Sequence, residues 1–182
     1  MLPAAPTDEE LLAAHRAGDP EAFGLIACRH AEGMWGVAVR TLHHHEDAAD
    51  AVQEALISAM RRASTYRGEA PVRTWLYRIV VNACIDRIRV ERRRPTVPLF
   101  DTDTPAGRSD PATELATRMA VGDALTALPE EQRMAVVLVD VQGWSVAEAA
   151  EIMAVPIGTV KSRCARGRLR LAALLGHLRE EQ

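Results

Sequence analysis

The sequence predicts an all-α fold of two small helical domains joined by a flexible linker. Ala, Leu, Val and Arg dominate its 182 residues and aromatic residues make up only 4%, a composition that favours helices over sheets. Apolar residues recur at helical spacing on both sides of residues 96–113, a stretch rich in Pro, Asp and Thr. The predicted domains are therefore residues 1–95 and 114–182, with 96–113 as the linker.

Four helices are predicted in the first domain. Thr7 and Glu10 have the spacing of a capping box and begin the first helix. Asp19-Pro20 supplies a cap and a first-turn proline for the second, which extends to about residue 39. The third and fourth helices are predicted over about 46–63 and about 72–92, and Pro95 ends the last of them.

The second domain is also predicted to be helical. A helix over about 114–128 precedes Pro129, which begins the next helix. Ser145 and Glu148 repeat the capping-box spacing ahead of a short helix. Pro156 then stands where the last helix begins.

Composition excludes several classes of protein. No apolar run reaches about 18 residues, so no membrane span is predicted. The acidic start lacks an apolar signal core, which indicates a cytoplasmic protein. Cys28, Cys84 and Cys164 are odd in number and far apart, as expected of reduced thiols, and all three fit apolar helix faces.

Charge alternates along the chain although the net charge is only −3. Residues 1–64 and 114–155 each carry a net charge of −5, whereas residues 65–95 carry +5 and residues 156–182 carry +4. Local basic segments, and not the total charge, determine whether a protein can bind nucleic acid. Both domains therefore contain a candidate nucleic-acid surface.

The last two helices of the second domain have a helix-turn-helix pattern. On the final helix, Val160, Cys164, Gly167 and Leu171 share one face and are predicted to be buried. The opposite face holds Thr159, Ser162, Arg163, Arg166 and Arg170, and its flank holds Lys161 and Arg168. Arginine and hydroxyl side chains on that opposite face suit a DNA major groove, and a solvated basic surface is the alternative.

The fourth helix of the first domain carries a second basic stripe. It includes Thr74, Arg78 and Asn82, with Trp75 and Tyr77 near the start of the helix. Aromatic and arginine groups side by side suit unstacked bases of single-stranded DNA, and asparagine can bond the edge of a flipped base. The alternative places Trp75 and Tyr77 in the core.

The third helix has an acidic face. Asp47, Asp50 and Glu54 recur at helical spacing, with Gln53 beside them. Such a face repels DNA and suits a basic protein partner, and a solubilising surface is the alternative.

Three strings follow one another in the order and spacing of a known family. They are AADAVQEALISA, TYRGEAPVRTWLYRIVVNACIDRIR and LPEEQRMAVVLVDVQGWSVAEAAEIMAVPIGTVKSRCARGRLRL. Through them the chain resembles, from about Ala48 to Leu171, a bacterial extracytoplasmic-function sigma factor of the sigma-seventy family. Met60 and Ala165 stand where the family often has aromatic residues, so the promoter sequence is not inferred from relatives.

The resemblance implies a function for each surface. The first domain would be sigma region two, which binds core RNA polymerase through Asp50, Gln53 and Glu54 and melts the −10 promoter element. The second would be sigma region four, which reads the −35 element, with Lys161, Ser162 and Arg166 in its groove-reading positions. Candidate −10 contacts, from the resemblance and from the stripe on the fourth helix, are Tyr66, Arg67, Gly68, Thr74, Trp75, Arg78 and Asn82; Thr159 and Arg163 complete the −35 candidates.

The resemblance also implies partners: both large subunits of core polymerase, promoter DNA, and an anti-sigma factor, soluble or membrane-bound. No cofactor and no catalytic group is expected, since the sequence shows no nucleophile–base set, phosphate loop or metal-ligand set. A metal at His43-His44-His45 and a thiol switch at Cys28 or Cys84 are weaker alternatives. Two other functions stay open, a dimeric helix-turn-helix regulator of duplex operators and a protein adaptor.

Overall fold

The computed structural model describes residues 5–42, 44–91 and 111–176. Within these ranges there are α-helices and no strands, which confirms the all-α prediction. A 3₁₀ turn at Ala63–Thr65 follows the third helix, and the sixth continues as a π-helical segment, Val137–Val141. The helices are α1 (Asp8–Arg16), α2 (Ala22–Leu42), α3 (His45–Arg62), α4 (Val72–Glu91), α5 (Pro111–Thr126), α6 (Glu130–Val136), α7 (Val146–Met153) and α8 (Ile157–Leu174).

Both predicted capping boxes form. At α1 the Thr7 amide donates to Glu10 Oε2 at 2.7 Å and the Glu10 amide donates to Thr7 Oγ1 at 3.2 Å. Each box satisfies two amides that a helix start leaves without intrahelical partners. The box of Ser145 and Glu148 at α7 has the same pair of bonds, at 2.9 and 3.2 Å.

Two boundaries differ from the prediction. Helix α2 begins at Ala22, two residues after Pro20, because Asp19 Oδ1 accepts the amides of Glu21 and Ala22 and so acts as the cap. Helix α5 begins at Pro111, inside the predicted linker. The rest of that linker, His43 and the predicted end of the fourth helix at Arg92 lie outside the described residues, and the domain limits stay predictions.

Helices α1 to α4 pack around a core of aliphatic side chains. Leu12 of α1, Ile26 of α2 and Leu76 of α4 are each at most 1% exposed. Polar contacts hold α1 onto α2: Asp8 is 2.6 Å from His30 Nε2 and accepts a hydrogen bond from Arg29. These contacts hold α1 against α2 beside the core.

In the second domain α8 lies against α6 and α7. Gly167 allows close approach, since a Cβ there would stand 2.7 Å from Val136 Cγ2. The turn between α7 and α8 uses Ala154 in the left-handed region, with φ of 52°. The buried face predicted for the last helix is confirmed: Val160 and Cys164 are at most 2% exposed, and Gly167 is buried.

The two predicted domains share one apolar core. Met34 and Val37 of α2 and Val81 of α4 are buried in the same cluster as Leu138 and Ile152 of the second domain. Helix α4 packs on α7, and α2 contacts α5, α6 and the π-helical segment. The chain is therefore closed on itself, which the sequence did not predict.

A buried guanidinium, that of Arg133, joins the domains at one edge of this core. Only 9% of Arg133 is exposed. Its Nη1 donates to the Thr41 carbonyl, the last turn of α2, at 2.6 Å. Its Nη2 donates to the carbonyls of Thr126 and Leu128 at 2.8 and 3.1 Å. A hydrogen bond with a charged partner contributes about 1.5–3 kcal/mol.

We therefore expect Arg133→Met to lower the free energy of unfolding by about 2–4 kcal/mol, because it leaves buried carbonyls without donors. Urea denaturation followed by circular dichroism measures the change. Arg16→Met, at an exposed position on α1, is the matched control and should change stability by less than about 0.5 kcal/mol. Equal effects of the two substitutions would contradict this account of Arg133.

Candidate protein and nucleic-acid interfaces

The acidic surface of α3, made by Asp50, Gln53 and Glu54, is exposed as the sequence predicts. The guanidinium of Arg87 on α4 lies against the carboxylates of this surface. Its Nη2 lies 3.4 Å from Asp50 Oδ2 and 3.8 Å from Glu54 Oε2, and its Nη1 lies 3.2 Å from Asp47 Oδ1. The carboxylates remain more exposed than Arg87, so the surface presents negative charge outward.

An open groove of about 660 Å³ runs beside these carboxylates. Ile57 and Met60 of α3 are 38% and 44% exposed near it, which adds apolar surface to the negative charge. The groove is lined by arginines as well as carboxylates, so it suits an amphipathic helix of a protein partner that presents basic residues to Asp50 and Glu54 and apolar residues to Ile57. The groove is lined by Asp50, Gln53, Glu54, Ile57, Ser58, Arg61, Arg62 and Arg87.

The loop between α3 and α4 is held in one shape by its own contacts. Tyr66 Oη donates to the Ala70 carbonyl at 2.6 Å, and burial raises the pKa of Tyr66. The Val72 amide donates to Glu9 Oε1 at 3.2 Å, which ties the start of α4 to α1. Gly68 has a φ of 73°, a backbone conformation that disfavours larger residues. Arg67 and Gly68 are exposed at the tip.

Two of the candidate −10 residues on early α4 belong to the packed interior. Thr74 is only 2% exposed, so its place on the exposed stripe was wrong for the closed chain. Trp75 is half-buried, packs on the first-domain core and meets the Tyr66 ring at a centroid distance of 5.4 Å. For Trp75, which is half-buried, the structure favours the core alternative.

Arg78 and Asn82 follow one and two turns later on α4. Asn82 is exposed. Arg78 is half-buried, and its Nε donates to the main-chain carbonyl of Glu151 on α7 at 2.9 Å. The second domain therefore occupies one hydrogen-bond donor of a residue predicted to bind DNA.

The side of α8 that is predicted to read the groove is open to solvent at its centre. Lys161, Ser162 and Arg166 are exposed, and Thr159 is half-buried. Arg166 Nε donates to the Ser162 carbonyl at 3.2 Å, within the helix itself. These side chains can therefore turn to an incoming duplex without breaking a contact to the core.

Acidic side chains of the second domain hold two other cations of α8. Arg163, a candidate −35 residue, donates to Glu131 at 2.6 Å, and its side chain is 14% exposed. Arg168 makes two bonds with Asp140, at 3.0 and 2.6 Å. The sequence pattern does not predict these ion pairs, because the acidic residues lie about 30 residues away in the chain.

Arg73 and Trp144, which belong to no predicted site, meet Tyr77 between the domains. Tyr77 was a candidate of the basic stripe on α4, and at 3% exposure it follows the core alternative. Trp144 is 3% exposed, and its ring lies 4.7 Å from the Tyr77 ring at 65°. The Arg73 guanidinium stands 3.8 Å from the Trp144 ring centroid. Burial raises the pKa of the Tyr77 hydroxyl, and Arg73 acts in the opposite direction. Helical periodicity marks Tyr77 as core but does not identify its partner.

The cysteines are unpaired within the described residues. Burial raises the pKa of the Cys84 thiol to about 12, so it stays protonated at neutral pH and is a poor nucleophile. Cys164 is buried and its pKa is likewise raised by burial. Cys28 is exposed, so its predicted place on an apolar face was wrong.

Metal ligands do not converge in the part of the chain that the structure describes, where no group of three His, Cys, Asp or Glu side chains has metal-binding geometry. His44 lies 3.8 Å from Glu91, and His45 stacks near Trp35. In the same residues no helix is long and apolar enough to cross a bilayer.

An exposed acidic helix, an aromatic loop beside a basic helix, and a helix-turn-helix together define a transcription-initiation protein of the sigma-70 class. Two family models match in this order: sigma-70 region 2 over residues 28–94, and sigma-70 region 4 over residues 118–171. The chain belongs to the extracytoplasmic-function (ECF) sigma factors of the sigma-70 family. It is accordingly a specificity subunit and not an enzyme.

Curated relatives support the assignment along the whole chain. The chain is 51% identical to the ECF RNA polymerase sigma factor SigM of Mycobacterium tuberculosis, over 94% of this chain and 86% of that protein. It is 34% identical to the ECF RNA polymerase sigma-E factor of Escherichia coli, over 89% and 91% of the two chains. These matches support the sigma-factor interpretation and not the dimeric regulator.

Two solved structures resemble both domains together. CnrH, solved with the cytosolic domain of CnrY, aligns with a TM-score of 0.72 at 28% identity, over 93% of this chain and 97% of that one. The sigma factor RpoE of Bartonella quintana, solved with the anti-sigma factor NepR, aligns with a TM-score of 0.72 at 26% identity, over 86% and 98%.

The capping box at the helix-turn-helix predicts a specific pH dependence. Hydrogen bonds from Ser145 hold the pKa of Glu148 below its ordinary value of 4.5. A lowered folded-state pKa contributes stability that is fully present above the ordinary value and is lost as the pH falls through the lowered value. We expect wild type to exceed Glu148→Gln in stability at neutral pH and to lose that advantage as the pH falls through the lowered pKa of Glu148.

Urea midpoints of both proteins at each pH measure this difference. In a Ser145→Ala background the hydrogen bonds that lower the pKa are weakened. The pH-dependent part of the difference should then shrink. An unchanged difference in that background would show that the capping box does not cause it.

Proposed function

We propose that this chain binds core RNA polymerase through the acidic surface of α3 and directs transcription initiation at promoters with paired −35 and −10 elements. The observation that carries the proposal is the presence, on one chain, of an exposed acidic surface on α3 and an exposed basic face on α8. A repressor or an adaptor has no need for both. The proposed site of action is the cytoplasm, where the polymerase is found.

Asp50, Gln53 and Glu54 are the proposed polymerase contacts. Two carboxylates and an amide at i, i+3 and i+4 present acceptors along one side of α3. A basic helix of the largest polymerase subunit would offset their negative charge, and Ile57 and Met60 would add apolar contact. In the absence of a partner, Arg87 partly neutralises the like charges of Asp50 and Glu54.

The proposed −10 surface consists of the loop from Tyr66 to Gly68 and the exposed side of α4. The exposed parts of the Tyr66 and Trp75 side chains offer aromatic surface against which an unstacked base would pack. Asn82 offers both a donor and an acceptor to a base edge. Arg67 and Arg78 supply cations for the phosphates, and Gly68 allows the backbone to approach them closely.

The proposed −35 surface is the exposed side of α8. Lys161, Ser162 and Arg166 would reach into the major groove, and Thr159 would contact a phosphate near the helix start. Arg163 would contact DNA only if that contact were more favourable than its ion pair with Glu131. An anti-sigma factor is the proposed negative regulator, because a structurally similar sigma factor was solved in complex with one.

Run-off transcription tests the polymerase contact. Added to bacterial core polymerase and a promoter library, the wild-type chain should yield transcripts that start downstream of paired −35 and −10 sequences. Asp50→Lys with Glu54→Lys should lower core binding at least about tenfold, because each substitution reverses a charge and places a lysine beside Arg87.

Glu21→Lys with Glu32→Lys, at two exposed positions away from α3, is the charge-matched control and should leave core binding unchanged. Core binding by fluorescence anisotropy separates loss of assembly from loss of promoter reading. No transcript and no core binding by the wild type, alongside tight duplex binding, would overturn the sigma-factor proposal.

Binding to −35 duplexes selected in that library tests α8. Arg166→Ala should weaken binding about 5- to 150-fold, the loss of about 1–3 kcal/mol expected for an arginine that reads guanine. Arg163→Ala should weaken it less, because Glu131 already engages that guanidinium. The reverse order of the two effects would contradict the assignment of groove contacts.

A further inference from the structure

The first turn of α1 contains three successive acidic residues, and each has a different partner. Asp8 is 2.6 Å from Nε2 of the buried His30 on α2. Glu10 belongs to the capping box of its own helix. Glu9 reaches a third element, because its Oε1 accepts the Val72 amide of α4 at 3.2 Å. The first turn of α1 therefore connects α2 with the start of α4.

The start of α4 is not capped by the residue that precedes it. Val72 is the first helical residue, and the side chain of Pro71 before it has no oxygen that could accept a free amide. The Glu9 carboxylate supplies such an acceptor from a residue 63 positions earlier in the chain. Its negative charge also lies at the positive end of the α4 dipole, which favours the contact.

The loop from Tyr66 to Gly68, part of the proposed −10 surface, lies between two segments that α1 contacts. Helix α1 contacts the 3₁₀ turn at Ala63–Thr65 before the loop and α4 after it. Val72 is buried in the same cluster as Leu12 of α1, and Tyr66 packs against this cluster. Helix α1 therefore supports the loop at both ends.

Glu9 also acts on the aromatic residue of this loop. Burial raises the pKa of the Tyr66 hydroxyl, and the negative charge of Glu9 adds to that rise. The same hydroxyl donates to the Ala70 carbonyl at 2.6 Å, two residues before the amide that Glu9 accepts. Two neighbouring hydrogen bonds thus hold the Tyr66 side chain and the start of α4.

The charge of Glu9 cannot itself favour DNA binding. Its side chain is exposed, and a carboxylate beside a nucleic-acid surface repels phosphates. Any contribution of Glu9 to DNA binding must therefore come from the geometry that its hydrogen bond maintains. This reasoning predicts opposite effects for losing the charge and for losing the acceptor.

We propose that Glu9 is a positioning residue for −10 recognition: by accepting the Val72 amide it caps α4 from α1 and holds the loop from Tyr66 to Gly68 in the shape that binds an unstacked base. The effect on DNA rests on the proposed function, whereas the capping of α4 does not. Glu9 acts here as a hydrogen-bond acceptor, so an uncharged acceptor should replace it.

Hydrogen exchange of the full chain, without DNA or polymerase, tests the capping. Glu9→Ala should raise the exchange rate in the segment 66–75 about fivefold, the change in a local equilibrium expected when a helix loses a cap. Glu9→Gln keeps an oxygen acceptor and should exchange like wild type. Glu32→Ala removes an exposed carboxylate from α2 and is the matched control.

The same variants, assembled with core polymerase, are then titrated with fluorescein-labelled single strands of the −10 element of a promoter selected in the library. Glu9→Ala should weaken binding by about two- to fivefold, because only the fraction of chains with an ordered loop binds without a further cost. Glu9→Gln should bind at least as tightly as wild type. Loss of affinity on losing a negative charge has no purely electrostatic explanation.

Two measurements separate positioning from a general loss of structure. Binding of the −35 duplex should be the same for all variants, because α8 belongs to the other domain. Circular dichroism melting verifies folding, and little change is expected because Glu9 is exposed and its truncation leaves no cavity.

Each possible result bears on one part of the proposal. Unchanged exchange in Glu9→Ala would overturn the capping. Faster exchange with unchanged −10 affinity, or a Glu9→Gln variant as weak as Glu9→Ala, would overturn the role in recognition. Faster exchange in Glu9→Ala, alongside a wild-type assembly that binds no −10 strand, would support the capping and contradict the proposed −10 surface instead.

Discussion

The fold depends on a single constraint, that α2 and α4 must bury apolar side chains on two sides at once. One side faces α1 and α3, and the other faces α6 and α7. The Arg133 guanidinium makes the second side possible, because it satisfies carbonyls at the end of α2 and in the turn before α6 that would otherwise be buried without donors. Once those carbonyls are satisfied, Trp144 and Tyr77 can pack in a site that excludes water.

Charge is arranged so that each basic element has acidic side chains within its own domain. Arg87 lies against the carboxylates of α3, and Arg163 and Arg168 lie against Glu131 and Asp140. Exposed pairs of this kind contribute little to stability. They lower the number of free cations, and with it the affinity for DNA of arbitrary sequence, because such binding grows with the number of phosphates neutralised.

Much of the fold was predictable because its signals are local. Capping boxes, helix-breaking prolines and 3.6-residue periodicity act within a few residues, and so Thr7, Ser145 and the buried face of α8 were predicted correctly. The acidic surface of α3 was also exposed as expected. Contacts between distant parts of the chain have no local sequence signal. No residue near Thr74 indicates that its side chain is buried, and no residue near Trp144 indicates that Arg73 packs on its ring.

Two of the acceptors that hold the domains together by hydrogen bonds are main-chain carbonyls, at Glu151 and Thr41. Every residue carries that group, so substitutions at these two positions preserve the acceptor as long as the helices persist. The exposed side chains of α8 can therefore change without changing how the two domains fit together. Promoter choice and the contact between the domains are separable traits, the second depending on Arg73, Arg133 and Trp144.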